Sequence, residues 1–186
     1  MRIISGQYKG RIITKSVPTG VRPTTDQARE TIFNILAGYV DWQEARVLDL
    51  CAGTGALGFE ALSRGAIHCD FVELSRRTAQ QIDTTARSLG VEQSDYAIHI
   101  CDSVEYLRRL EKHRHYSVVF TDPPYHKKLL NTLIRLLDAG SVLEHDGIFI
   151  AEHDITEVVV APDRFSHFSA RKFGETMVDF YTVDNA

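Results

Sequence analysis

The chain has 186 residues, of which 44% are apolar and 25% charged, with a formal net charge of −4, which is ordinary for one soluble globular domain with room for a three-layer core. Its three cysteines, Cys51, Cys69 and Cys101, lie far apart with no C-x-x-C pair, so neither a disulfide framework nor a zinc site is suggested, and reduced thiols in the cytoplasm are expected. The N-terminus lacks an apolar h-region and no stretch approaches 18 apolar residues, so export and membrane spanning are not expected.

Residues 2–15 read as a small hairpin, extended over Arg2–Ser5 and Arg11–Lys15, with Gly6 and Gly10 bracketing the reversal. Pro18 and Gly20 break the chain, which divides it into a basic hairpin appendage over 1–20 and a main domain over 21–186. Residues 1–25 carry Arg2, Lys9, Arg11, Lys15 and Arg22 and no acid. Local patches of this kind make phosphate contacts even when the net charge is negative, and a solvated surface is the equal alternative.

Arg22-Pro23-Thr24-Thr25-Asp26-Gln27 is a helix entrance, with capping-box spacing between Thr24 and Gln27. Ala28, Ile32, Phe33, Ile35 and Leu36 recur at helical spacing up to Gly38, which puts Arg29 and Asn34 on the water side. Arg46–Leu50 is a buried strand, followed by the G-x-G-x-x-G of Gly53-Thr54-Gly55-Ala56-Leu57-Gly58 and a helix that Gly65 stops. A second strand, Cys69–Val72, ends on Glu73. Glycines at that spacing let a backbone approach a ligand closely, and an acid about 20 residues on accepts a ribose diol. Asp49 stands late in its strand with Leu50-Cys51-Ala52 before the first glycine, a placement that suits a cationic amino group and would repel a pyrophosphate.

A helix over Ser75–Leu89 leads to a third strand, Ala97–Ile100. Cys101-Asp102-Ser103 closes it and opens a helix through about Glu111, so Asp102 reads equally as a helix cap or as an acceptor for an adenine amino group. The fourth strand, Val118–Thr121, runs into Asp122-Pro123-Pro124-Tyr125. Two prolines forbid both more strand and a helix start, leaving a stiff corner that presents a carboxylate, a carbonyl and an aromatic face. A helix over Leu129–Leu137, a fifth strand over Gly147–Ala151 and two tail strands, Phe165–Arg171 and Met177–Val183, complete the chain. The histidines show no metal-ligand spacing and read as surface or core filling.

Strands one to four thus each end in a carboxylate: Asp49, Glu73, Asp102 and Asp122. In a parallel sheet all four share one edge. Three acids around an adenosine with a positively charged tail suit S-adenosylmethionine. Asp122 and the Pro123 carbonyl suit the two hydrogens of an exocyclic amine, and Tyr125 can stack on its ring for roughly 1–3 kcal/mol. The reaction so implied is methyl transfer from sulfonium to nitrogen.

Asp49-Leu50-Cys51-Ala52-Gly53-Thr54-Gly55, Glu73 and Asp122–Tyr125 together resemble the class I S-adenosylmethionine-dependent amino-methyltransferases. Arg2-Ile3-Ile4-Ser5-Gly6, Lys9-Gly10-Arg11, Arg22–Asp26, Phe33-Asn34 and Glu60–Ala66 narrow that resemblance to the RsmD family. The resemblance implies a Rossmann-like α/β fold with a seven-stranded, mostly parallel sheet whose last strand is antiparallel, plus an N-terminal β-hairpin and helix. It implies that Asp49, Gly53, Thr54, Gly55, Glu73, Asp102 and Ser103 bind the cofactor, with Glu73 on the ribose and Asp102 on the adenine. Asp122, Pro123, Pro124 and Tyr125 would then hold the guanine, and Arg2, Lys9, Arg11 and Arg22 the RNA. The implied substrate is guanine N2 of 16S ribosomal RNA in an assembling small subunit, with no metal, by a monomeric enzyme. An adenine-N6 DNA methyltransferase and an NAD-dependent oxidoreductase are the competing readings; the first has no room here for a target-recognition domain, and the Asp49 spacing disfavours the second.

Overall fold

Runs of β-branched and aromatic residues broken by glycines and helix caps fold as the alternation dictates. The computed structural model describes residues 1–13, 26–111, 114–124 and 129–184. Its elements, in order, are α1 (Asp26–Leu36), β1 (Arg46–Leu50), α2 (Ala56–Arg64), β2 (His68–Val72), α3 (Arg76–Leu89), β3 (Tyr96–His99), α4 (Ser103–Arg109), β4 (Tyr116–Thr121), α5 (Leu130–Ala139), β5 (Leu143–Asp154), β6 (Phe165–Phe173) and β7 (Thr176–Val183).

The strands form one seven-stranded sheet in the order β3-β2-β1-β4-β5-β7-β6. The first five are parallel, and β7 is antiparallel to both β5 and β6. The expected architecture is therefore present. Side chains alternate across the sheet as strand geometry requires. Val47, Phe71, Val118, Phe120 and Ile150 pack in one core with α1, α2 and α3. Leu48, Leu50, Val72, Val119 and Phe149 pack in the other, beneath α4 and α5. The chain runs outward from β1 through β2 to β3, then returns to the other side of β1 as β4. That reversal is the switch point outside which open α/β sheets bind ligands.

The sheet departs from the sequence expectation at β5, which starts at Leu143 rather than Gly147. Leu143 pairs with Tyr116, and the register shifts before Ile148 meets Val118. The N-terminal hairpin pairs its two arms through the antiparallel bridge of Arg2 with Ile12; residues 14 and 15 of the second arm lie outside the described residues. Its backbone is reinforced by the Ile3 N–H to Arg11 carbonyl bond at 3.0 Å and by Gly10 N–H to Ile3 carbonyl at 2.9 Å. Arg29 does not face water. It is fully buried in α1, its Nη2 donating to the Arg2 carbonyl at 2.5 Å and to Asp26 Oδ1 at 2.9 Å, because the hairpin lies across this side of the helix. Asn34 is exposed, as expected. Thr24, in the proposed capping box, lies outside the described residues.

Candidate active site

The carboxyl ends of β1, β2 and β4 bring the acids together. β1 ends beside the turn Cys51–Gly55, where Cys51 holds φ 63° and Gly53 φ 54°. Gly55 caps α2 at φ 74°. A Cβ at Gly55 would press on Phe59 at 2.9 Å, and one at Gly58 would sit 2.2 Å from the Phe71 ring, so these two glycines let α2 lie flat on β2. A Cβ at Gly53 would meet only the Cys51 carbonyl oxygen, at 3.9 Å. The turn is therefore filled from below and open at Gly53, as a ligand cradle must be.

Glu73 clips this cradle. Its Oε2 accepts the Gly53 N–H at 2.9 Å and its Oε1 the Ser75 N–H at 2.7 Å. A carboxylate has about four lone-pair sites, so capacity remains for two hydroxyl donors. Leu74 follows at once and is 60% exposed, an apolar face beside the Glu73 carboxylate. Thr54 is buried and its hydroxyl donates to Met1 Sδ at 3.6 Å. Ser103 is buried at the start of α4, where Cys51 Sγ donates to its Oγ at 3.4 Å and ties the β1 turn to the one after β3. Asp102 is the α4 cap: its Oδ1 accepts from Val104 N–H at 2.9 Å and, more weakly, Glu105 N–H at 3.3 Å. Oδ2 takes no part in the cap bonds, so capping and ligand binding are compatible.

Asp49 is buried under the turn, with Oδ2 accepting the Gly58 N–H at 3.0 Å. Burial pushes its pKa up to about 8; the Gly58 hydrogen bond opposes the rise and the Glu73 charge adds to it. Asp122 is half-buried at the end of β4, followed by buried Pro123 and exposed Pro124. Loss of solvation raises the Asp122 pKa well above the ordinary carboxylate range, and the charges of Glu152 and Asp49 raise it further. Burial also lifts the Cys51 thiol to about 12, with Asp122, Asp49 and Glu73 all contributing. These mutual effects place three acids, Asp49, Glu73 and Asp122, around the β1 turn, with Glu152 beside Asp122. Such a site favours a cation, which would offset the burial cost and the repulsion that together hold the pKa values high.

Glu152 was not singled out from the sequence. It is buried on β5 one residue beyond Ala151, which pairs with Thr121. The strand-end rule that located the other acids applies to it equally. Leu74 had a signal too, as an apolar residue that directly follows the strand-end acid Glu73. Tyr125 and Arg22 lie outside the described residues. Arg2, Lys9 and Arg11 are all exposed on the hairpin, and Arg11 donates to the Ser88 carbonyl at the end of α3. Among the described residues no group of three or more His, Cys, Asp or Glu is arranged to hold a metal.

A mostly parallel sheet with this switch point, a glycine turn clipped by an acid and a diproline corner define a Rossmann-like class I methyltransferase. The profile of the family described as "Conserved hypothetical protein 95" matches residues 1–182. The chain belongs to that family, which is the RsmD family. YlbH of Bacillus subtilis is 40% identical over 155 residues, 83% of each chain. The "Ribosomal RNA small subunit methyltransferase D" of Haemophilus influenzae is 32% identical over 174 residues, covering 94% of this chain and 89% of that one. The solved structure of yhhF from Escherichia coli superposes with a TM-score of 0.86 at 30% identity, covering 99% of this chain and 98% of the other.

Proposed function

We propose that this protein transfers a methyl group from S-adenosylmethionine to the exocyclic N2 of a guanine in 16S ribosomal RNA, within an assembling small ribosomal subunit. The observation that carries the reading is the juxtaposition across the switch point: the Glu73-clipped turn on β1 faces the Asp122-Pro123-Pro124 corner on β4. The names of its relatives support ribosomal RNA as the substrate class.

Gly53, Thr54, Gly55, Glu73, Asp102 and Ser103 would hold the nucleoside end of the cofactor, and Asp49 its cationic tail. S-adenosylmethionine, when bound, supplies an electrophilic methyl on a sulfonium. The residues of the chain do the rest by positioning. Asp122 and the Pro123 carbonyl accept the two amine hydrogens, which keeps the nitrogen lone pair out of those bonds and free to point at an electrophile. Holding reactants in register can lower a barrier by about 7–11 kcal/mol. The raised proton affinity of Asp122 suits it to take the proton that the amine sheds. Tyr125 would stack on the guanine once it has left its helix. Lys9, Arg11, Arg2 and Arg22 would hold phosphates. No metal is required, and a cytoplasmic monomer accounts for the activity; no helix of the described residues is long and apolar enough to cross a membrane.

The test is to incubate the purified protein with methyl-labelled S-adenosylmethionine and small-subunit particles from cells lacking it, then digest the RNA to nucleosides. Label in N2-methylguanosine supports the reading; label in N6-methyladenosine, or none, overturns it.

A further inference from the structure

We infer that Glu60 is a positioning residue that docks the N-terminal hairpin onto α2 and thereby sets the affinity for RNA; this rests on the reading of Lys9 and Arg11 as RNA contacts. Glu60 lies inside α2 with no exposure to solvent. A buried carboxylate is costly unless its oxygens are satisfied. Here they are satisfied from 55 and 56 residues away. The Ile4 N–H donates to Oε2 at 2.7 Å and the Ser5 N–H to Oε1 at 3.0 Å, while Arg64 Nε completes Oε1 at 2.9 Å. Arg64 in turn lies over the Phe33 ring of α1, 4.8 Å from its centroid.

One turn on, Ser63 repeats the pattern. Its carbonyl accepts the Gln7 N–H at 2.7 Å, its Oγ accepts the Tyr8 N–H at 3.0 Å, and the same Oγ donates to the Ser5 carbonyl at 2.5 Å. Gly6 sits against this turn so tightly that a Cβ there would fall 1.7 Å from the Ser63 carbonyl oxygen, and its φ is +83°. Ile3–Gly6 and Glu60–Ser63 are thus two halves of one backbone-specific dock. The dock fixes the register of the hairpin on α2, and the register fixes where Lys9 and Arg11 are carried. An apolar contact would hold the hairpin on α2 but would not specify that register.

Glu60→Gln replaces one accepting oxygen with an NH2 group that faces a backbone N–H. Loss of one charge-assisted bond lowers the population of the docked register, so the KM for RNA should rise, by at most about tenfold. The kcat at saturating RNA and the Kd for S-adenosylmethionine should stay at wild-type values. Gly6→Ala leaves every charge in place and should reproduce the effect, which covers the case of a poorly folded E60Q. Combining E60Q with the K9A/R11A pair should add little to the loss from that pair, because both act through the same cations. An unchanged RNA KM in E60Q or G6A overturns the inference, and so does a proportional loss of kcat and cofactor affinity, which would mark a general structural role. If K9A/R11A itself leaves the RNA KM unchanged, the reading beneath the inference fails and the inference with it; that result is told apart by being visible without any change at Glu60.

Discussion

Glu73 and Gly53 are joined by a 2.9 Å hydrogen bond from the Gly53 N–H to Oε2, so the acid proposed to bind the ribose also shapes the turn that would cradle it. Glu73→Ala should therefore weaken S-adenosylmethionine twice over, by removing the diol acceptor and by releasing the turn. Loss of a charged hydrogen bond costs about 1.5–3 kcal/mol, or roughly 10- to 150-fold in Kd. Titration calorimetry reads this directly. A wild-type Kd would remove Glu73 from the ribose site.

Asp122 stands at the other side of the switch point, and its substitution should separate binding from chemistry. Asp122→Ala should lower kcat by on the order of 10²–10³, the usual effect of deleting one preorganised polar group. The cofactor Kd should change little, because the clip between Glu73, Gly53 and Ser75 does not involve Asp122. Single-turnover transfer paired with cofactor calorimetry checks both halves. Equal losses in the two would move the acceptor site away from Asp122.

The strand-end acids were legible in the sequence because each follows a short apolar run at a place where helix caps and glycines mark the strand's limit. Asp49, Glu73, Asp102 and Asp122 converge for that reason, and the parallel pairing of β1 to β4 places them on one edge. The start of β5 was not legible. Glu144, His145 and Asp146 interrupt the apolar pattern, and Asp146 holds φ 60°, so periodicity begins only at Gly147. Arg29 and Glu60 were hidden for a different reason. Arg29 is polar on a helix and reads locally as a solvent-facing residue, and nothing local marks Glu60 as buried; the hairpin, tens of residues away in the chain, bonds to both. Long-range coverage of this kind leaves no local signal.

The Asp49 pKa, pushed up to about 8, gives stability a pH dependence with a definite sign. An unfolded aspartate titrates near about 3.9, so between these values the folded state holds a proton that the unfolded state does not. Stability then falls as pH rises. The contribution is fully present below the unfolded value and lost as pH rises through about 8. His153, whose pKa is also raised, acts in the same direction from the imidazole range upward: burial alone would lower it, but the Asp179 carboxylate and the Asp154 carbonyl outweigh that effect. Asp49→Asn isolates the first group, since it stays neutral throughout. The variant should lose less thermal stability than wild type between pH 5 and 8, and the gap should close only at or below the unfolded carboxylate value, near about pH 3.9. A bound cation should also drive a proton off Asp49, so calorimetry near pH 7 in buffers of different ionisation enthalpy should show proton release on cofactor binding in wild type and less in the variant. Parallel melting curves for the two proteins would refute the assignment.

Asp70 shows the opposite sign and lies in the other core, away from the glycine turn. It is fully buried in β2 and accepts the Tyr116 hydroxyl at 2.8 Å, with His99 Nε2 at 2.6 Å and Arg114 Nη1 at 3.5 Å; His68 Nε2 stands 3.6 Å away. Burial alone would raise its pKa, but His68, His99, Tyr116 and the Arg114 charge outweigh burial and hold the carboxyl well below the usual range. Its stabilisation is therefore present above the unfolded carboxylate pKa and lost as pH falls through the lower, folded value. Tyr116 links this acid to Tyr106 on α4 through a 2.9 Å hydroxyl pair, so Tyr116→Phe strips one donor from a buried carboxylate and a partner from a second buried hydroxyl. Leaving such groups short of a partner costs about 1–3 kcal/mol. For a domain of this size each kcal/mol shifts the melting temperature by roughly 2–4 °C. Y116F should thus melt several degrees lower at pH 7, with methyl transfer below the melting range unaffected because no atom of the cluster is placed in the catalytic site. Asp70→Asn should reduce the acid-side slope that wild type shows, leaving the share of Asp179, whose pKa is also lowered because burial, which would raise it, is outweighed by its His153 and His167 bonds. A Y116F protein with the wild-type melting temperature would mean that the Tyr106–Tyr116–Asp70 chain contributes nothing to holding α4 on the sheet.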